Sequence, residues 1–278
     1  MIPNDPAYAW RGELLDLDAY LVRIGAQGEL PPSVETLRVL MRAHALAIPF
    51  ENLEIVLGRP ILLGVGDLQD KMVRAPRGGY CYEHVTLFAA VLERLGFGVT
   101  GLSARVRMGS GALRPATHAL LRVAADGGDW ICDVGFGHGQ LEPIELVDGA
   151  RTTRENWPFR LERAGARRGV EEWLLYAGEL DLHSFTLDPR HAVDYVVLNH
   201  YISTHPRSPF VGRLMAQCVR PGVRHVLDGV TLTSTRVDGT DETVRLEPGE
   251  VPKALDEVFG IGLDERDTAR LVAVLAEG

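Results

Sequence analysis

Arg77-Gly-Gly-Tyr-Cys-Tyr-Glu83 brings together the residue types that nucleophilic chemistry needs at a helix start. Two glycines let the backbone turn tightly and approach a ligand, and the apolar run Val85 to Leu95 puts Cys81 in the first turn of a helix. There the unpaired backbone N–H groups and the positive end of the helix dipole face the sulfur and favour a thiolate. The same N–H groups suit the oxyanion of a tetrahedral intermediate. Such a cysteine needs a base and a group to orient it, normally a histidine and then Asp or Asn. Thr117-His118 opens one β-rich run and Cys132-Asp133-Val-Gly-Phe-Gly137 closes the next, with Asp126-Gly-Gly-Asp129 as the turn between them.

In a hairpin centred on Gly127-Gly128, His118 lies opposite residue 137 and Asp133 opposite residue 122, so both side chains point to one face. At roughly 3.3 Å per residue that register leaves them about 13 Å apart. A Cys81-His118-Asp133 triad therefore requires a bulge or a shifted register. His84 competes for the part of base, since it follows Cys81 by three residues on the same helix. Only His118 has a carboxylate on its own face to orient it, and the sequence points to His118.

Other residues read more plainly. Cys132 neighbours Asp133 on one strand, points to the opposite face and belongs to packing; Cys218 is structural. Asp133 has a second reading as the cap of the glycine-rich turn that follows it. Arg77 and Glu51 are expected to form a buried ion pair joining two motifs. Arg167-Arg168 reads as a solvated turn. No GxGxxG fingerprint links a strand to a helix and no Walker lysine occurs, so the usual nucleotide sites are not indicated.

The elements that must position these groups change character along the chain. The first part reads as helices, at Leu14 to Ile24, after the cap Ser33, and from Cys81 to Leu95 with Gly96 as the stop. Short β-rich runs follow at Val99 to Met108, His118 to Ala124, Trp130 to Val134, Phe159 to Leu161 and Glu172 to Tyr176, the pattern of a small antiparallel sheet or barrel. After about Asp194 come strands at Val223 to Leu227 and Val230 to Val237, then helical pieces at Val251 to Phe259 and Asp264 to Ala276. The expected division is 1–95 helical, 96–194 β-barrel and 195–278 α/β.

With 278 residues, 46% of them hydrophobic and 24% charged, the chain has an ordinary globular composition. Its net charge of −9 argues against coating nucleic acid. No apolar run reaches the ~18 to 20 residues of a membrane span, and Met1 to Trp10 lacks the marks of a signal peptide, so a cytoplasmic location is expected. Three cysteines make neither a disulfide framework nor a paired zinc pattern, and no metal site is expected.

Ile48-Pro-Phe-Glu-Asn-Leu53, Arg77 to Glu83, Thr117-His118, Asp133-Val-Gly-Phe-Gly137, Ser203-Thr-His-Pro206 and Ser208-Pro-Phe210 resemble, in order and spacing, the motifs of the arylamine N-acetyltransferases. The resemblance covers nearly the whole chain. It implies an α+β fold with an N-terminal helical domain, a central antiparallel β-barrel domain, a C-terminal α/β domain and a catalytic core similar to that of cysteine proteases. It implies acetyl transfer from acetyl-CoA, a co-substrate rather than a tightly bound cofactor, through Cys81 to arylamines, arylhydrazines or N-hydroxyarylamines. Cys81 would be nucleophile, His118 base and Asp133 orienter; Phe50 and Phe136 would line the acceptor pocket, and Thr117 and Tyr201 would lie near CoA. One departure is visible, at His84, where the family commonly has Asn. Rival readings are an amide synthase joining a carrier-bound acyl chain to an aromatic amine, a cysteine peptidase or transglutaminase-like enzyme, and a binding module that kept the fold.

Overall fold

Ser33 begins the second helix by accepting the Thr36 N–H on its hydroxyl at 3.3 Å, the capping role its place in the sequence suggests. In this structure, a computed structural model, residues 9–152, 157–167 and 169–277 are described; Met1 to Tyr8 and Arg168 lie outside them. Helix α1 (Leu17–Ile24) starts later than Leu14 because Asp16 caps it, its carboxylate accepting from Ala19 N–H. Then come α2 (Val34–Ala47), a two-residue strand β1 (Phe50–Glu51), α3 (Leu53–Val56), α4 (Val65–Gln69) and α5 (Cys81–Arg94). Every residue of α5 from Cys81 to Leu92 is buried, which makes it the helix around which the first part packs.

The seven-stranded sheet runs β5-β4-β3-β2-β8-β7-β6. Its strands are β2 (Gly98–Val106), β3 (Ala116–Ala125), β4 (Gly128–Cys132), β5 (Ile144–Glu145), β6 (Phe159–Arg167), β7 (Val170–Ala177) and β8 (Leu180–Phe185). Its neighbours are all antiparallel, and the chain after β5 meets β6 through a bridge between Arg151 and Arg160, so the sheet is nearly closed into a barrel. Leu102, Leu120, Ile131, Leu161, Trp173 and Leu175 fill a core of their own.

Helix α6 (Ala192–Thr204) follows and runs across position 194. The second sheet has the order β1-β9-β10-β11-β12, with β9 (Met215–Arg220), β10 (Val223–Asp228), β11 (Thr231–Arg236) and β12 (Asp241–Arg245). Phe50 pairs with Gln217, so a piece of the helical region is an edge of this late sheet. Helices α7 (Val251–Ala254) and α8 (Glu265–Glu277) pack with α3 and β9 over Leu53, Leu214, Leu255, Phe259 and Leu271. Among the described residues no helix is long and apolar enough to cross a membrane.

The central hairpin corrects the expected register. Ala125 pairs with Gly128 and Leu121 with Cys132, so the turn is Asp126-Gly127, not Gly127-Gly128. Both turn residues are left-handed, φ 51° and 77°, as the twist of a two-residue hairpin requires. Continued past Cys132, this register sets Asp133 level with Leu120, two residues from His118 instead of four, or about 7 Å along the strand. A bulge completes the approach. Ala104 pairs with His118 but Arg105 pairs with Ala116, which leaves Thr117 as the extra residue of β3.

Candidate active site

Cys81 is the first residue of α5 and is 4% exposed. The helix start is fixed by Glu83, whose Oε2 accepts the Tyr80 N–H at 3.0 Å while its Oε1 accepts from Lys71 Nζ at 2.7 Å. The glycines around it permit close backbone approach. A Cβ on Gly78 would fall 1.9 Å from the Pro49 carbonyl oxygen, and one on Gly135 would fall 2.7 Å from Cys81 Cα.

His118 Nε2 donates to Asp133 Oδ2 at 2.8 Å, and both side chains are buried. That bond leaves Nδ1 for the Cys81 side chain, which lies close enough to act on the imidazole. Burial alone would push the imidazole down, yet the Asp133 carboxylate, with Cys81 on the other side, raises it to about 10. Asp133 is the converse case: burial opposes its charge, but the imidazoles of His118 and His183 hold its carboxyl below the usual range. Its Oδ1 accepts the Gly135 N–H at 3.3 Å, so the turn-cap reading of Asp133 holds alongside its contact with His118.

His183 is the residue that the sequence reading missed. It lies on β8, is fully buried, and places Nε2 2.8 Å from the same Asp133 Oδ2. Burial lowers its pKa despite Asp133, and its Nδ1 has no hydrogen-bond partner among the described residues. A signal for β8 exists in Leu180-Asp-Leu-His-Ser-Phe185, directly after the Gly178-Glu179 turn, but its polar content hides it. His118, Asp133 and His183 each offer a ligand atom within 4.8 Å of one another, a donor set that a divalent transition metal accepts. In this structure both imidazoles are hydrogen-bonded to the carboxylate.

Phe136 joins the group directly, its ring edge-on to His118 at 4.8 Å and to His183 at 5.2 Å. Phe50 and Asp133 line one cleft together with Ile48, Val134, Gly137 and Gln217. Thr117 is the bulge residue, and its carbonyl accepts the Tyr82 hydroxyl at 2.9 Å, tying the barrel to α5. Tyr201 sits on α6, stacks on His205 at 4.6 Å and packs against the core cluster that contains Cys81. His84 points elsewhere, with both ring nitrogens engaged by His44 and the Pro49 carbonyl. Arg77 binds Glu51 Oε1 through Nε at 3.0 Å and Nη2 at 2.8 Å, and Nη2 reaches Glu54 at 2.9 Å. Cys132 and Cys218 are buried; burial raises the first thiol strongly and pushes the second up to about 11.

Known proteins resemble this chain over nearly all of its length. Residues 33–268 match the family model described as N-acetyltransferase. The arylamine N-acetyltransferase of Mycolicibacterium smegmatis is 40% identical over 278 residues, covering 94% of this chain and 98% of that one. The crystal structure of Nocardia farcinica arylamine N-acetyltransferase superposes with a TM-score of 0.95 at 50% identity, covering 99% of this chain and 100% of that one. Mycobacterium marinum arylamine N-acetyltransferase in complex with CoA gives a TM-score of 0.86 at 35% identity, covering 94% of this chain and 99% of that one. The chain belongs to the arylamine N-acetyltransferase family. It is thereby an enzyme of the acetyl-CoA-dependent acyltransferase class.

Proposed function

We propose that this enzyme transfers acetyl from acetyl-CoA to arylamines, arylhydrazines or N-hydroxyarylamines by double displacement through an acetyl-Cys81 intermediate. The observation that carries the reading is the buried His118 between Asp133, at 2.8 Å, and the Cys81 side chain, with its pKa raised to about 10. An imidazole so placed takes the thiol proton, because the carboxylate behind it stabilises the imidazolium in a buried site. The Cys81 thiolate then attacks the thioester carbonyl. Glu83 and His84 N–H groups are spent on the Tyr80 carbonyl, leaving those of Cys81 and Tyr82 at the helix start to meet the oxyanion. Collapse breaks the C–S bond to CoA, and His118 returns its proton to the departing CoA thiolate. The acceptor nitrogen, or the oxygen of an N-hydroxyarylamine, then attacks the acetyl-cysteine; His118 takes its proton, and Cys81 leaves as thiolate.

Phe136 against His118 and Phe50 in the adjoining cleft suit an aromatic acceptor, and Thr117 with the chain around Tyr201 is assigned to the CoA side. The late sheet excludes water from the thioester, a task that the seating of Phe50 on β9 supports. The acidic charge balance and three unpaired thiols support a cytoplasmic location. Incubation with acetyl-CoA and no amine tests the reading. One acetyl group is expected on the peptide containing Cys81 by intact and peptide mass, and labelling of Cys132 or Cys218 instead would overturn it. Steady-state kinetics with an arylamine should give parallel double-reciprocal lines, whereas intersecting lines mean direct transfer in a ternary complex.

A further inference from the structure

Tyr20, His44 and His84 form a continuous buried chain of hydrogen bonds that the reaction does not use. Tyr20 Oη lies 2.8 Å from His44 Nδ1, His44 Nε2 lies 2.8 Å from His84 Nδ1, and His84 Nε2 lies 3.1 Å from the Pro49 carbonyl oxygen. The direction of every bond follows from its last acceptor. A carbonyl only accepts, so His84 carries its proton on Nε2. Burial lowers His84 to about 4 and His44 well below its ordinary value, so both rings are neutral and each has one bare nitrogen. His84 Nδ1 therefore accepts from His44 Nε2–H, and His44 Nδ1 accepts from the Tyr20 hydroxyl. No proton in the chain is spare, and no nitrogen of His84 is free to serve Cys81.

The chain ends at the residue before Phe50. The Pro49 carbonyl also accepts the Gly79 N–H at 3.3 Å, and the missing side chain of Gly78 lets it approach. Phe50 itself bridges to Gly79 and pairs with Gln217. His84 and Cys81 thus ride on one helix, and His84 uses that helix to set the place of Phe50.

We propose that His84 is a positioning residue for the acceptor half of the reaction: by holding the Pro49 carbonyl it fixes Phe50, and with it the aromatic acceptor, relative to Cys81. The inference rests on the reading of Phe50 as part of the acceptor pocket. Two substitutions separate the ends of the side chain. Asn reaches about as far as Nδ1, so His84→Asn keeps the contact with His44 and loses the one with Pro49. Gln reaches about as far as Nε2, so His84→Gln keeps the donor to Pro49.

The experiment measures the two half-reactions apart, Cys81 acetylation by acetyl-CoA and deacetylation by an arylamine such as aniline or a ring-substituted derivative. His84→Asn is expected to raise the acceptor KM about tenfold while acetylation stays within about threefold, and His84→Gln to remain near the parent in both. Tyr20→Phe, which removes only the distal hydroxyl, should shift the acceptor KM in the same direction by less. In a Phe50→Ala background, His84→Asn should add nothing. An unchanged acceptor KM, an equal fall in both half-reactions, Asn and Gln variants that behave alike, or an undiminished effect without Phe50 would each overturn the proposal. Failure of the parent to acetylate Cys81 would instead overturn the reading of function.

Discussion

Two clusters of buried histidine adjoin the start of α5, and they differ in what faces the imidazoles. Around Asp133, His118 and His183 meet a carboxylate, and His118 is raised to about 10. Around Pro49, His84 and His44 meet a backbone carbonyl and a phenol, and burial, which the more remote Glu51 opposes only in part, pushes His84 down to about 4. Burial is comparable in the two and lowers each ring. A buried imidazole carries a proton only where a counter-charge offsets its desolvation, and so the first cluster is electrostatically suited to moving a proton and the second to holding shape.

The largest effect expected from this contrast is on Cys81 acetylation. His118→Gln and Asp133→Asn should each slow it by about 10²- to 10⁴-fold, with the circular dichroism spectrum and unfolding transition retained. His84→Asn should change the same step by no more than about threefold, or about 0.7 kcal/mol of barrier. Rapid-quench acetylation followed by mass spectrometry measures all three. If His84 and His118 exchange these outcomes, the proton-moving cluster has been misplaced.

Stability should depend on pH in opposite senses in the two clusters. An unfolded histidine titrates near 6.5, so below that value the unfolded chain binds a proton that folded His84 refuses until about 4. Its contribution is complete above pH 6.5 and is lost as pH falls through about 4, by roughly 3 kcal/mol. His118 does the reverse: its contribution is complete below 6.5 and is lost as pH rises through about 10. Thermal unfolding across pH should therefore show a shallower acid limb in His84→Asn and a shallower alkaline limb in His118→Gln. Equal acid limbs in parent and His84→Asn would remove the distinction.

How far the two clusters are legible in the sequence follows the same division. Cys81 at a helix start and the facing pair His118 and Asp133 can be read from Gly-Gly, helix and strand patterns, because those signals are local. The register between them differs from the expected one by one turn residue: Asp126, not a second glycine, takes the first left-handed position, although Asp-Gly is itself a strong hairpin signal. Helix α6 carries exposed Val193, Val196 and Val197 as well as buried Tyr195 and Ile202, so no apolar stripe announces it. The pairing of Phe50 with Gln217 and the meeting of Tyr20, His44 and His84 are non-local contacts of single residues, which no period records.

The segment that joins the clusters is gripped from its other side by charge. Glu51 takes Arg77 on Oε1 and the Leu53 N–H on Oε2, Lys71 stands 3.6 Å away, and Arg77 continues through Glu54 to Arg59 and Asp267 of α8. Removing one donor leaves buried carboxylate charge partly unpaired. Arg77→Lys, which keeps the charge and loses the fork, is expected to lower unfolding free energy by about 1–3 kcal/mol with the affinity for CoA retained. Denaturant unfolding and CoA titration check it together. A stable variant with weakened CoA binding would make Arg77 a ligand residue.

The smallest effect expected lies within the cluster around Asp133. Asp133 Oδ2 receives two imidazoles at 2.8 Å, and the second, His183, is held neutral by burial with Nδ1 unpaired. His183→Phe removes one donor from the carboxylate, which should concentrate its pull on His118 and raise that pKa further. It also removes a buried nitrogen that has no partner among the described residues, a group whose desolvation costs about 1–3 kcal/mol. The two changes oppose: Asp133 loses support while the core loses an unsatisfied atom. Stability should therefore move little, the acetylation rate should stay within about fivefold of the parent, or about 1 kcal/mol, and the His118 resonance should titrate at higher pH than in the parent. A fall as deep as that of His118→Gln would mean that the second imidazole moves the proton with the first, and that the carboxylate alone does not account for the contrast between the clusters.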